Sequence, residues 1–98
     1  MPIKGEFYDW DSSNVNSVPA KEAVFELYDS QKQLLYIGTT FNLHEKFFSY
    51  WNSNFDATQC MQETAYYKRE FTKYRTRRQK ELIEEYMQAH GSKLPPCN

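Results

Sequence analysis

The clearest hydrophobic pattern in the chain spans residues 23–38, where two short apolar-rich runs flank a polar stretch. Val24, Phe25, Leu27 and Tyr28 make the first run, and residues 34–37 make the second. Between them lies Asp29-Ser30-Gln31-Lys32-Gln33. Asp and Ser side chains hydrogen-bond nearby backbone, which suits such a stretch to a loop. The pattern therefore predicts two β-strands joined as a hairpin. The second strand ends in Tyr36-Ile37-Gly38, where the glycine lets the backbone turn closely. A helix opens soon after at Asn42-Leu43, and a strand end followed by a helix start is a common place for a site.

The flanking segments continue the alternation. Residues 1–19 read as an N-terminal arm in which Gly5, Asp11-Ser12-Ser13-Asn14 and Ser17 are loop formers and Pro19 closes the segment. Phe7, Tyr8 and Trp10 give the arm aromatic bulk, either to fasten it over the domain or to stack on unpaired bases. Residues 39–51 predict a helix with Asn42 as N-cap and Glu45 three positions on, close to a capping box. Leu43, Phe47, Tyr50 and Trp51 form its core-facing stripe, while His44 and Lys46 point toward solvent or a site. Residues 55–64 fit a short helix over 57–63 or an irregular loop, and residues 65–74 alternate as a third strand. There Tyr67, Arg69 and Phe71 share one face.

Residues 76–90 predict the strongest helix. Thr76 and Gln79 are spaced as a capping box. Leu82, Ile83, Tyr86, Met87 and His90 form the inner stripe, and Gly91 is a natural stop. Residues 20–98 thus read as one α+β domain, a small three-stranded antiparallel sheet flanked by helices.

Composition adds limits. Ninety-eight residues make one domain with a modest core, and abundant aromatics let that core bury much area per residue. No run is long or apolar enough to span a membrane, and the first ten residues do not read as a signal peptide. Cys60 and Cys97 accordingly read as reduced thiols in a cytoplasmic protein, and no CxxC or HxxxH spacing supports a metal site built on them. The net charge of −1 conceals a basic run: Lys68, Arg69, Lys73, Arg75, Arg77, Arg78 and Lys80 lie within thirteen residues, opposed there only by Glu70. Such a run is either a solvated face or a surface for the phosphates of nucleic acid, DNA first among them.

The hairpin, Tyr36-Ile37-Gly38, the helix start at Asn42-Leu43 and the closing Pro95-Pro96-Cys97-Asn98 together resemble the GIY-YIG nuclease family. The resemblance covers residues 23–98 and extends to the order of strands and helices. The first family motif is altered, because Ala23-Val24-Phe25 stands where Gly-Ile-Tyr is expected. The resemblance implies hydrolysis of DNA phosphodiesters with one Mg²⁺ or Mn²⁺ ion, in which tyrosines surround the attacking water, a cation holds the phosphate and a carboxylate holds the metal.

Carried across by position, Tyr36 matches the second-motif tyrosine, and Phe25 replaces the first without its hydroxyl. Lys46, ten residues beyond Tyr36, takes the place of the phosphate-contacting arginine, keeping its charge but not its bidentate fork. Gln79, three residues before Leu82-Ile83, takes the place of the metal-binding glutamate, and a neutral amide is a poor ligand for such an ion. Glu81, with Glu84 and Glu85 close by, is the acid able to stand in, and His44 is the substitute general base. Asn98 fits the family's closing asparagine.

Three functions stay open: a DNA endonuclease domain with a degenerate site, acting in repair, recombination or mobile-element biology; a non-catalytic nucleic-acid-binding module on the same fold; and a protein-interaction domain whose aromatic arm covers a partner. A homodimer is compatible with all three.

Overall fold

The structure is a computed structural model that describes residues 2–98. Along the chain run β1 (Tyr8–Asp9), α1 (Ser12–Ser17), β2 (Ala23–Tyr28), β3 (Leu34–Thr40) and α2 (Leu43–Ser53). Two 3-10 turns follow, at Phe55–Ala57 and Gln59–Glu63, then β4 (Tyr66–Phe71) and α3 (Arg75–Ala89). The strands form one antiparallel sheet in the order β1-β4-β2-β3. The sheet has four strands rather than the expected three, because Tyr8 and Asp9 pair with Tyr67 and Tyr66 on the edge of β4.

The hairpin of β2 and β3 forms as the pattern requires. Asp29 Oδ1 accepts the backbone N–H groups of both Gln31 and Gln33 at 2.9 Å, and Lys32 closes the turn with φ +61°. The arm is more ordered than its loop formers suggested. Asp11 caps α1 by accepting the Asn14 N–H at 2.8 Å, and the helix buries Val15.

Side chains alternate across β2 and both faces are covered. Ala23, Phe25, Leu27 and Tyr67 enter one core with Val15, Leu43, Phe47, Tyr50 and Phe55. Val24 and Ile37 meet Ile3 and Leu82 on the other side. The sheet therefore lies between α1 with α2 on one face and α3 with the N-terminal segment on the other. Each large apolar side chain buried this way contributes roughly 2 kcal/mol, and edge-to-face packing of Phe47 on Phe25 and Tyr67 adds to it.

Asn42 caps α2 as expected, accepting the Glu45 N–H at 3.0 Å, and residues 39–40 belong to β3 rather than to the helix. Trp51 leaves the expected core stripe and is exposed, lying against Trp10. In α3, Leu82 is buried and Ile83, Tyr86 and Met87 are half-buried, whereas His90 is exposed and stacks on Tyr86 at 3.8 Å. Gly91 ends the helix with φ +63°.

The capping box at the start of α3 does not form. Tyr74 rather than Thr76 is the N-cap and makes no side-chain capping bond; Thr76 lies inside the helix, and Gln79 reaches across to β3. Cys60 and Cys97 correct the reading of reduced thiols, since they form a disulfide with their Cα atoms 5.7 Å apart. Among the described residues, no helix is long and apolar enough to cross a membrane.

Candidate nucleic-acid interface

Gly38 lies inside β3 and pairs with Phe25 across the hairpin, so it serves no turn. A Cβ there would come within 2.5 Å of both Phe25 Cζ and Tyr36 Cε2. The glycine is needed to give these two rings room. Phe25 and Tyr36 sit 6.0 Å apart, and Tyr50 lies 6.2 Å beyond Phe25. Burial, with a further contribution from neighbouring Tyr36, pushes the Tyr50 hydroxyl above the usual tyrosine range. Lys46 Nζ lies 5.0 Å over the Tyr50 ring and faces a groove of about 360 Å³ lined by Thr40, Phe41, Asn42, Glu45 and Ser49. The structure thus links Tyr36 to Lys46 through Tyr50.

Gln79 does not join that chain. It approaches β3 from the α3 side, and its Nε2 donates to the Ile37 carbonyl at 3.0 Å. Asn98 binds the backbone of the same residue, accepting the Ile37 N–H and donating to the Ile37 carbonyl, both at 2.9 Å. His44 places Nδ1 3.2 Å from the Val18 carbonyl and stacks on Phe48, tying α2 to the segment after α1. Glu81 is held by Arg78 at 3.2 Å and faces Arg77 at 4.0 Å. No group of three His, Cys, Asp or Glu side chains gathers among the described residues. At the position that the resemblance gives to the metal-binding carboxylate stands the Gln79 amide, engaged on the Ile37 carbonyl and a poor ligand for a divalent cation.

The basic run divides by partner. Arg78 is mostly buried, its side chain 13 % exposed, and it grips Glu70 through two bonds of 2.7 and 3.2 Å. Hydrogen bonding to Glu70 is the main cause that raises its already high pKa. Lys68 pairs in register with buried Glu26 and packs its Nζ 4.5 Å from the Phe7 ring. These two cations serve the fold. Lys80 is exposed on α3.

Arg69 is different. Its guanidinium lies between the rings of Tyr8 and Phe71, at 4.4 and 5.1 Å, and its Nε is buried without a hydrogen-bond partner. It borders a groove of about 410 Å³ shared with Lys4.

The remaining cations meet at one end of the sheet. Ala23 at the start of β2 pairs with Thr40 and Phe71 at the ends of β3 and β4, so α2 and α3 both begin at this end. Phe41 stands here 72 % exposed, with the Arg75 guanidinium 3.7 Å from its ring centre and Glu22 3.2 Å from Arg75 Nε. Lys21 lies over Phe71 at 5.8 Å. Tyr74, 57 % exposed, is flanked by Lys73 at 5.3 Å and Arg77 at 5.4 Å. Two helix N-termini, one with no side-chain cap, add their partial positive charge.

Lys73, Arg75 and Arg77 of the basic run come together at this end, and Lys21, Phe41 and Tyr74, which were not among the candidates, join them there. The available signal was two aromatics at strand-to-helix junctions, outside any period that would place them in a core. No protein-family model matches the chain, and no curated protein does.

Proposed function

We propose that this chain is a non-catalytic nucleic-acid-binding module that takes unpaired bases and their phosphates at the sheet end where α2 and α3 begin. The observation that carries the reading is Phe41, largely exposed and backed by Arg75 at 3.7 Å. An exposed ring braced by a guanidinium is a stacking platform, and every base has a face to offer it. Tyr74 supplies a second ring, with Lys73 and Arg77 beside it for phosphates. Lys46 and Lys21 extend the cationic border, and Arg69 offers a fork oriented by two rings.

The resemblance to GIY-YIG nucleases supports a nucleic-acid partner, while the site residues favour binding over cleavage. The position expected to hold the metal carries an amide already engaged on Ile37. Glu81, the acid next to that position in the sequence of the last helix, is bound to Arg78.

Fluorescence anisotropy with a labelled single-stranded oligonucleotide and its duplex tests the reading. The single strand should bind more tightly, and Phe41→Ala should weaken it by about 1–3 kcal/mol, the worth of one stacked base. Nicking of plasmid by the native chain with Mn²⁺, abolished by Tyr36→Phe, would instead establish the endonuclease. Equal binding by Phe41→Ala and the native chain would remove the platform from consideration.

A further inference from the structure

β3 is the last strand of the sheet, so its outer edge should present unpaired backbone groups. The segment 95–98 covers them. The Cys97 N–H donates to the Leu35 carbonyl at 2.8 Å, and the Asn98 side-chain amide brackets the Ile37 backbone with two bonds of 2.9 Å. The segment imitates a fifth strand using one backbone group and one side chain. Pro95 is fully buried beneath it, whereas Pro96 and Asn98 are exposed. The covalent anchor is the disulfide from Cys97 to Cys60 in the second 3-10 turn, and both cysteines are half-buried.

We propose that the Cys60–Cys97 disulfide is a reducible latch that holds the segment 95–98 on β3, and that its reduction uncovers the hydrogen-bonding edge of that strand. The segment has no regular secondary structure, and its polar contacts compete with water. Without the tether it is held by the buried Pro95 ring and these few bonds, and it opens at less cost than the sheet it covers. The reductant is a dithiol. One of its thiolates attacks a sulfur of the bridge, forming a mixed disulfide and releasing the other cysteine as a thiol. The second thiol of the reductant then displaces the remaining cysteine. Two electrons and two protons pass to Cys60 and Cys97, and the reductant leaves as a disulfide.

The Ile37 amide is the reporter, because Asn98 Oδ1 is its acceptor. The Ile37 carbonyl is less informative, since Gln79 Nε2 also binds it and stays after release. Tyr36 and Gly38 are internal controls, being paired inward with Leu27 and Phe25 of β2.

Amide hydrogen exchange is followed by NMR on the native chain before and after treatment with dithiothreitol, with a thiol assay confirming complete reduction. Exchange at Ile37 should rise by about tenfold or more beyond any rise at Tyr36 and Gly38, which report the stability lost by the fold as a whole. Asn98→Ala in the oxidised protein should reproduce the rise at Ile37 alone. Full protection of Ile37 after complete reduction would overturn the latch. So would a rise at Ile37 no larger than that at Tyr36 and Gly38, which marks general loosening of the fold.

Discussion

At the scale of single residues, Gly38 and Glu26 show how little room the hairpin of β2 and β3 leaves. Any Cβ at Gly38 collides with Phe25 and Tyr36 at 2.5 Å, and Phe25 is packed on its far side by Phe47. Gly38→Ala should therefore destabilise the fold by about 1–3 kcal/mol through overpacking. Urea unfolding measures this, and adding Phe25→Leu should recover part of the loss; strict additivity of the two changes would refute the contact as its cause.

Glu26, next to Phe25 on β2, is 6 % exposed. Burial raises its carboxyl above the ordinary 4.5, partly offset by the Tyr28 hydroxyl donating at 2.8 Å and by the charges of Lys68 and Arg78. A raised folded pKa means that the native state holds the proton more tightly than the unfolded chain. The resulting stability is full below about 4.5 and is lost as pH rises through the folded value. Glu26→Gln carries no such loss, so its stability relative to the native chain should improve across that window and level off above it. Urea melts at pH 4 and pH 7 check the sign, and an equal gap at both would contradict it.

At the scale of elements, the hairpin, α2 and α3 were legible because each is long enough for a period of 2 or 3.6 to show. β1 and α1 were not. A strand of two residues and a helix of six fall below the length at which periodicity speaks, and α1 announced itself only through the capping Asp11. The roles of Gln79 and Asn98 were equally hidden. Both bind Ile37 across 42 and 61 residues of sequence, and such side-chain-to-backbone bonds leave no local pattern.

The disulfide escaped for another reason, since its spacing of 37 residues fits no motif and the expected compartment argued against it. Replacing both cysteines by serine should cost about 4 kcal/mol, the chain-entropy value for a loop of this size. Thermal or urea unfolding of the double variant against the oxidised native chain measures it, and a loss near zero would mean that the unfolded chain gains nothing from release of the tether.

At the scale of the whole molecule, the basic run of the sequence is not one surface. Its count of charges was visible, but not which acids meet them: Glu22 before β2, Glu70 within the run on β4 and Glu81 just after it on α3. What reaches solvent at the sheet end is a smaller set, Lys21, Lys73 and Arg77 with Lys46 at its border, set among Phe41, Phe71 and Tyr74. This division predicts the salt dependence of binding. Three or four phosphate contacts on a single strand give a slope of log K against log salt of roughly −2 to −3. Lys73→Ala and Arg77→Ala should each flatten it by about 0.7 while leaving the fold intact, because Lys73 is exposed beside Tyr74 and the Arg77 pair is long and exposed. Arg78→Ala should do the reverse, leaving the slope unchanged but destabilising the protein by stranding Glu70 in a half-buried site. Titrations at several salt concentrations, paired with melts of each variant, separate the two groups. A slope that responds to Arg78 and ignores Lys73 and Arg77 would move the nucleic acid off this end of the sheet and onto the α3 face.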